Sequence, residues 1–185
     1  MPQGLPKRIK MSQNVTHAVT THSTENFTVD LDHFSLYASH LLITVIGGGA
    51  GNKDTTSNAV TLDEVELKLN SSSYSGTLKG SLLTGPVADM LGLYQNTQPH
   101  FDAAGENPNG IYRTYIFPLA SQAFSGSSVP LNRFDNIRLS MKLSNNRNYN
   151  DGNEDTALTA GRVVVTCVGE TTALYKGGAA SLAMY

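Results

Sequence analysis

The 185-residue sequence has no tryptophan, one cysteine and few charged side chains. A single cysteine excludes an intramolecular disulfide. Charged residues make up 15% of the chain, compared with about 25% in a typical soluble domain. The net charge of −2 gives no reason to expect general affinity for nucleic acid. Ser, Thr, Asn and Gly replace the charged residues, and such a surface suits packing against neighbouring proteins because few charges must be desolvated.

Long hydrophobic stretches are also missing. The longest apolar run, Leu41–Ile46, is far shorter than the roughly 18 to 20 residues that a membrane-spanning helix needs. The N-terminus carries basic residues but no apolar segment, so we expect no secretory signal. Apolar residues nevertheless account for 39% of the chain, which argues against a disordered protein.

The motifs of the common enzyme sites are absent. No two histidines have the H-x-H or H-E-x-x-H spacing of a metal site, and there is no G-x-S-x-G nucleophile motif. The glycine-rich segment 47–51 looks like a phosphate-binding loop, but Asn52 and Asp54 stand where such a loop needs glycine and Ser or Thr. The sequence therefore predicts no enzyme, no catalytic residue, no metal and no cofactor.

Alternation of apolar and polar residues, which is typical of strands with one face inward, dominates the rest of the sequence. The clearest case is residues 136–143, in which Ile137, Leu139, Met141 and Leu143 alternate with polar residues. We expect these four side chains to point into one core. Further strands are predicted at residues 15–21, 27–32, 41–46, 65–70, 111–117 and 163–168, the first of them a weak edge strand.

One short helix is predicted, with Thr84 as its N-cap, Pro86 in its first turn and apolar residues at helical spacing from Val87 to Tyr94. Seven or eight short strands with one helix indicate an all-β sandwich or barrel. No linker, composition shift or repeat divides the chain, so the sequence predicts one such domain.

An N-terminal arm, residues 1–24, is predicted to lie outside a domain formed by residues 25–185. Two prolines and a glycine among the first six residues disfavour regular structure there. Lys7, Arg8 and Lys10 supply three of the 13 basic residues of the chain. Two interpretations stay open: a solvated, frayed terminus, or an arm that contacts a partner, an anionic membrane or a genome.

Two further places are candidate interaction sites. Arg133 and Asp135 can pair with each other or with the backbone, and the Asn136 side chain can satisfy a turn, which together would set the register of the following strand. Cys167 lies on the apolar side of the predicted strand 163–168. It is either a buried, inert thiol or the site of a disulfide to another chain.

The segment 110–143 resembles part of the major capsid proteins of large icosahedral DNA viruses, of the adenovirus and tectivirus lineage. Ser125-Gly126-Ser127 matches a loop of that family, and Arg133-Phe134-Asp135-Asn136 matches its corner. The tail, residues 174–185, is similar to the small-residue, Tyr-ending tail of the same proteins. Phe134 departs from the family, which has isoleucine at that point.

The resemblance implies an all-β fold: a single eight-stranded jelly-roll barrel of two packed antiparallel sheets, with one short helix. Double-jelly-roll capsid proteins need two barrels, and this chain has room for one. It is therefore more similar to the single, vertical jelly-roll major capsid proteins of tailless, membrane-containing icosahedral dsDNA viruses. A C-terminal barrel excised from a larger capsid protein is the other interpretation of this length.

The function that the resemblance implies is that of a self-assembling structural subunit of an icosahedral capsid, located in the virion. Its expected partners are copies of itself, a second capsid protein and an internal membrane reached through Lys7, Arg8 and Lys10, without sequence-specific nucleic acid. The alternative is a jelly-roll binding module for a glycan or a receptor, such as a spike component.

Overall fold

The structure is a computed structural model that describes residues 5–19, 25–46, 60–84, 112–119, 128–145, 161–176 and 179–183. The regular elements in these ranges are mostly strands. In chain order the strands are β1 (Leu5–Val19), β2 (Glu25–Asp30), β3 (Tyr37–Ile46), β4 (Val60–Leu69), β5 (Ser72–Ser73), β6 (Leu78–Lys79), β7 (Tyr112–Pro118), β8 (Val129–Pro130), β9 (Ile137–Asn145), β10 (Gly161–Lys176) and β11 (Ala179–Ala183). The helices are α1 (Gly80–Thr84) and a 3-10 helix, Leu131–Arg133. No helix in the described ranges is long and apolar enough to cross a bilayer.

The strands form two antiparallel sheets. In the first sheet the order is β1-β10-β3-β7, with β11 beside β10 and β8 beside β3. In the second sheet the order is β2-β9-β4-β5, with β6 beside β4. From β1 to β4 the chain changes sheet with every strand, and it does so again from β9 to β10. Two four-strand paths connected in this way form a jelly roll, so the predicted fold class is confirmed.

The core lies between the two sheets. Ile137, Leu139, Met141 and Leu143 of β9 are at most 3% exposed, whereas Arg138 on the opposite side of the strand is exposed. The prediction that these four side chains share one core is confirmed. Inward-facing residues of β3, β4, β7 and β10 complete the same cluster, so the packing of one sheet on the other holds the barrel together.

Two glycines are required where backbones approach closely. Gly80 begins α1 against β4, and a Cβ at this position would overlap the carbonyl oxygen of Leu62. Gly169 lies where β10 shifts its register against β3, and a Cβ there would overlap the carbonyl oxygen of Tyr37. Any larger residue at either position would displace backbone.

The N-terminal region differs from the predicted arm. Residues 5–19 form β1, which pairs with β10 from Leu5 opposite Tyr175 to Val19 opposite Gly161, with no shift in register. The prediction that residues 1–24 lie outside the barrel is therefore wrong for residues 5–19. An edge strand tolerates Pro6, because a residue there needs no backbone N–H on its unpaired side. Residues 1–4 and 20–24 lie outside the described residues.

The predicted helix, with Thr84 as its N-cap, starts where this part of the described chain ends. A separate short helix, α1, ends at Thr84, whose hydroxyl donates to the carbonyl oxygen of Ser81 at 3.4 Å. The predicted helical segment from Pro86 to Tyr94 lies outside the described residues. Leu83 of α1 is fully buried, which anchors the helix on the barrel.

Candidate functional site

The corner before β9 begins with the 3-10 helix. Its first residue, Leu131, is buried and donates its N–H to the carbonyl oxygen of Leu36 at 3.0 Å. Phe134 then closes the turn by donating its N–H to the carbonyl oxygen of Leu131 at 3.1 Å. Arg133 and Asp135 are exposed. The corner thus lies on the surface but is anchored to the loop before β3.

Side chains from two distant loops hold the backbone of this corner. The Oδ1 atom of Asn70 accepts the N–H groups of Asp135 at 3.0 Å and Asn136 at 3.2 Å. The carboxylate of Asp32 accepts the N–H of Ile137 at 2.6 Å. These three bonds satisfy consecutive backbone donors where β9 starts, so they determine where the strand begins.

Two of the contacts that the sequence suggests for the corner side chains are not formed, while pairing of Arg133 or Asp135 with the backbone stays a prediction. No ion pair joins Arg133 to Asp135 within the described part of the chain. The Oδ1 atom of Asn136 is buried without a hydrogen-bond partner, so this side chain does not cap the turn through its oxygen. The sequence predicts the position of the corner, but the side chains that accept its backbone N–H groups are those of Asn70 and Asp32. Asn70 could have been recognised as a turn residue from the sequence, because it directly follows an alternating strand and Asn favours turns.

Cys167 is completely buried on the inner side of β10 and forms no disulfide. Burial raises the pKa of its thiol to about 12. A thiol enclosed in the core cannot reach another folded subunit. The structure thus agrees with the buried, inert thiol and not with a disulfide to another chain.

The basic residues near the N-terminus lie on β1. Arg8 forms an ion pair with Glu170 of β10 at 3.6 Å, and its guanidinium lies 5.9 Å from the centre of the Tyr37 ring. Lys10 is exposed and faces Glu170 in the register of the two strands, while Lys7 faces Ala173. Glu170 therefore offsets part of the positive charge of this group.

The outer face of the second sheet carries charges of both signs and is called the charged face below. Its ion pairs are Asp30 with Arg138 at 3.3 Å, Glu66 with Lys68 at 3.4 Å, and Glu64 with Lys79. A hydrogen bond from Lys79 lowers the pKa of Glu64, and a hydrogen bond from Ser73 lowers the pKa of Glu66. Such a surface is well solvated as it stands.

The middle of the outer face of the first sheet, between Lys10 and Glu170 at one end and Arg162 at the other, is different and is called the uncharged face below. Its members are exposed or half-buried and lie in adjacent rows of β1, β10 and β3: Ser12, Asn14, Thr16, Val164, Thr166, Val168, Leu42 and Thr44. None of them carries a charge. Charge depletion of this kind is typical of the centre of a protein–protein interface.

One buried Ser–His pair has the residue types of a nucleophile and a base. The Ser39 hydroxyl lies 2.9 Å from Nδ1 of His40, but it donates to the carbonyl oxygen of Val168 at 3.1 Å. Both side chains are buried, and burial lowers the pKa of His40. A hydroxyl that donates to a backbone carbonyl has a structural role, and in this case the bond links β3 to β10.

The described residues include no group of three or more His, Cys, Asp or Glu that could hold a metal ion.

Solved structures share this fold at low sequence identity. The crystal structure of PBCV-1 VP54, fitted into a cryo-EM reconstruction of the virophage Sputnik, matches 98% of this chain and 52% of that chain with a TM-score of 0.61 and 16% identity. A quasi-atomic model of the PBCV-1 virus capsid matches the same shares of the two chains, 98% and 52%, with a TM-score of 0.57 and 15% identity. This chain therefore spans about half the length of the structures it matches. No protein-family model and no curated protein matches the sequence. The resemblance to capsid proteins is confirmed at the level of the fold.

Proposed function

We propose that this chain is a structural subunit of an icosahedral viral capsid and that it resides in the virion. The observation that carries the proposal is the jelly-roll topology, which matches a PBCV-1 capsid structure over 98% of this chain. The buried Ser–His pair and the buried thiol offer no reactive group at the surface, which supports a structural role over an enzymatic one.

Assembly is the mechanism that follows from this architecture. A barrel with one continuous core and hydrogen-bonded corners is a rigid unit, so contacts on its sides hold a fixed geometry. The uncharged face offers a lateral contact with little desolvation cost. Each contact of a shell is repeated many times, so individually weak contacts suffice through multivalency.

The proposed partners are copies of the same chain and a second capsid protein. The matched structures are about twice as long as this chain, so two chains could fill the place that one longer chain fills there. Contact with an internal membrane through Lys7, Arg8 and Lys10 remains part of the proposal. The exposure of Arg8 and Lys10 supports this contact. The ion pair between Arg8 and Glu170 reduces the positive charge that is available to an anionic membrane.

Electron microscopy of the full chain tests this function. Purified protein at increasing concentration, alone and with the other virion proteins, is expected to form regular lattices or closed shells in negative stain. Labelling of purified particles with an antibody against this chain is expected to decorate the shell. A protein that stays dispersed under all of these conditions, and that is missing from the particle shell, would contradict a capsid role.

A further inference from the structure

The sheet edges of this barrel differ in how well they are protected. Strand β2 has six residues with an acidic residue at each end, and β5 and β6 have only two residues each. At the far edge of the first sheet, residues 114–117 of β7 are buried. Strand β1 is the exception: it has 15 residues, and no described strand pairs with its outer edge.

Proline and charged residues, which normally prevent an edge strand from pairing with another chain, are confined to one half of β1. Pro6, Lys7, Arg8 and Lys10 all lie in its N-terminal part. Residues 11–19 contain no Lys, Arg, Asp, Glu or Pro, and the pairing with β10 has no bulge. A long, regular, uncharged edge presents alternate backbone N–H and C=O groups in a pattern that fits another strand.

The side chains of this half of β1 are also incompletely covered. Met11 and Val15 point inward but remain half-buried, while Val165, which lies opposite Val15 in β10, is completely buried. A contact from the loop before β3 holds the strand in place: the Gln13 amide is hydrogen-bonded to Ser35 at 2.8 and 3.2 Å. The edge is therefore ordered before it meets a partner, and an added strand would cover the remaining apolar surface.

We propose that β1 pairs antiparallel with β1 of a second copy, which joins the first sheets of the two copies into one continuous sheet. This inference rests on the proposed function and identifies one self-contact of the assembly. A two-fold axis at Val15 places Val15 opposite its own copy, Gln13 opposite His17, and Asn14 opposite Thr16. Apolar then meets apolar and polar meets polar, as favourable cross-strand pairs require.

The charge distribution favours a second copy over an unrelated strand. The two-fold axis carries the Arg8 and Lys10 groups of the two copies to opposite ends of the paired segment, so like charges do not face each other. The contact is isologous, because one edge serves as both surfaces, which is the commonest symmetry of homo-oligomers. The uncharged face, which includes Ser12, Asn14 and Thr16, then continues across both copies.

Paired charge variants test the contact and its register. In the double variant N14K/T16K, the new lysine at position 14 of each copy would lie opposite the new lysine at position 16 of the other copy. The double variant N14E/T16E would bring carboxylates together in the same way. Asn14 and Thr16 both point to solvent from exposed positions, so the fold should be retained. Sedimentation velocity of the full chain is expected to show a concentration-dependent dimer for the wild type and about tenfold weaker dimerisation for each double variant. A mixture of the two variants should restore dimers by opposite-charge pairing.

The matched control is T28K/S72K, which adds the same charge at two exposed positions of the second sheet and should dimerise like the wild type. Amide hydrogen exchange should show protection within residues 11–19 that rises with protein concentration.

A monomer at all concentrations, or a dimer that N14K/T16K leaves intact, would overturn the proposal. Protection of β1 only on addition of another virion protein would assign the edge to that protein instead. A β1 dimer that never forms lattices would support this contact and count against the capsid function. Lattices that form without a β1 dimer would support the capsid function and count against this contact.

Discussion

The side chain of Asn70 accepts the backbone N–H of Asp135 at 3.0 Å, although the two residues are 65 positions apart. Asn70 and Ser71 form the two-residue turn between β4 and β5, and both have positive φ angles, 49° and 67°. This backbone shape is typical of a type I′ hairpin turn, in which Asn is favoured. One residue therefore serves the hairpin and the corner before β9 together.

Substitutions at Asn70 should separate these two roles. Asn70→Ala loses both hydrogen bonds and places an unfavourable residue at positive φ, so we expect a loss of about 1–3 kcal/mol in the free energy of unfolding. Asn70→Gly relieves the φ strain but still loses the bonds, and Asn70→Asp keeps the acceptor and should lie within about 0.5 kcal/mol of the wild type. Urea denaturation measures all three. Equal stability of Asn70→Gly and the wild type would show that the corner does not depend on Asn70.

The core position Leu139 should be among the most sensitive to truncation. Its side chain is completely buried between the sheets, so Leu139→Ala should cost about 2–5 kcal/mol through lost burial and a residual cavity. Ser140→Ala, at the next position on the outer side, is the control and should change stability by no more than about 0.5 kcal/mol. Thermal or urea unfolding decides the comparison, and similar effects of the two substitutions would be inconsistent with the packing described.

Close approach of α1 to β4 predicts intolerance at Gly80. Gly80→Ala would force the Leu62 carbonyl away, and overpacking of this kind typically costs about 1–3 kcal/mol. Ser81→Ala, at an exposed neighbouring position, should be nearly neutral. The melting temperatures of the two variants provide the measurement. A neutral Gly80→Ala would mean that α1 can move without loss.

The buried thiol predicts a loss of stability at alkaline pH. Burial raises the folded-state pKa of Cys167 to about 12 from the ordinary thiol value of 9.0, so the contribution of this thiol to stability is complete below pH 9 and declines as the pH rises towards 12. The slope should approach about 1.4 kcal/mol per pH unit, because the unfolded chain releases one proton that the folded chain retains. Urea unfolding of the wild type and Cys167→Ala between pH 8 and roughly 11 isolates this slope. Parallel pH profiles would refute it, and so would rapid reaction of the folded wild type with a thiol reagent.

The two outer faces should respond differently to the same added charge. Thr166→Lys places a charge within the uncharged face, whereas Thr28→Lys adds one to the charged face. If the uncharged face is a lateral contact, Thr166→Lys should raise the protein concentration needed for lattices by about tenfold, and Thr28→Lys should leave it unchanged. Negative-stain microscopy over a concentration series gives the result. Equal effects would place the contact elsewhere.

The sequence alone was sufficient for the properties that depend on local pattern. Period-2 alternation identified β9 and its four inward residues, because successive side chains of a strand must point to opposite faces. The apolar side of residues 163–168 likewise placed Cys167 in the interior. Alternation was less clear in β1, where Gln13 and His17 occupy inward positions beside Met11 and Val15. The half-buried edge of a sheet tolerates such polar residues, and this tolerance explains why the sequence predicts only a weak edge strand at residues 15–21 and an arm before it.

Only the tertiary structure decided which strands are neighbours and which residues support the corner. Strand β1 lies beside β10, and Val15 is paired with Val165 although most of the sequence separates the two residues. No local sequence pattern encodes a pairing between strands so far apart in the chain. The resemblance pointed to Arg133, Asp135 and Asn136, but the acceptors that hold their backbone come from Asn70 and Asp32 on other loops. Strand order and loop-to-loop hydrogen bonds depend on how the two sheets pack as a whole. Alternation along a single strand carries no information about that packing.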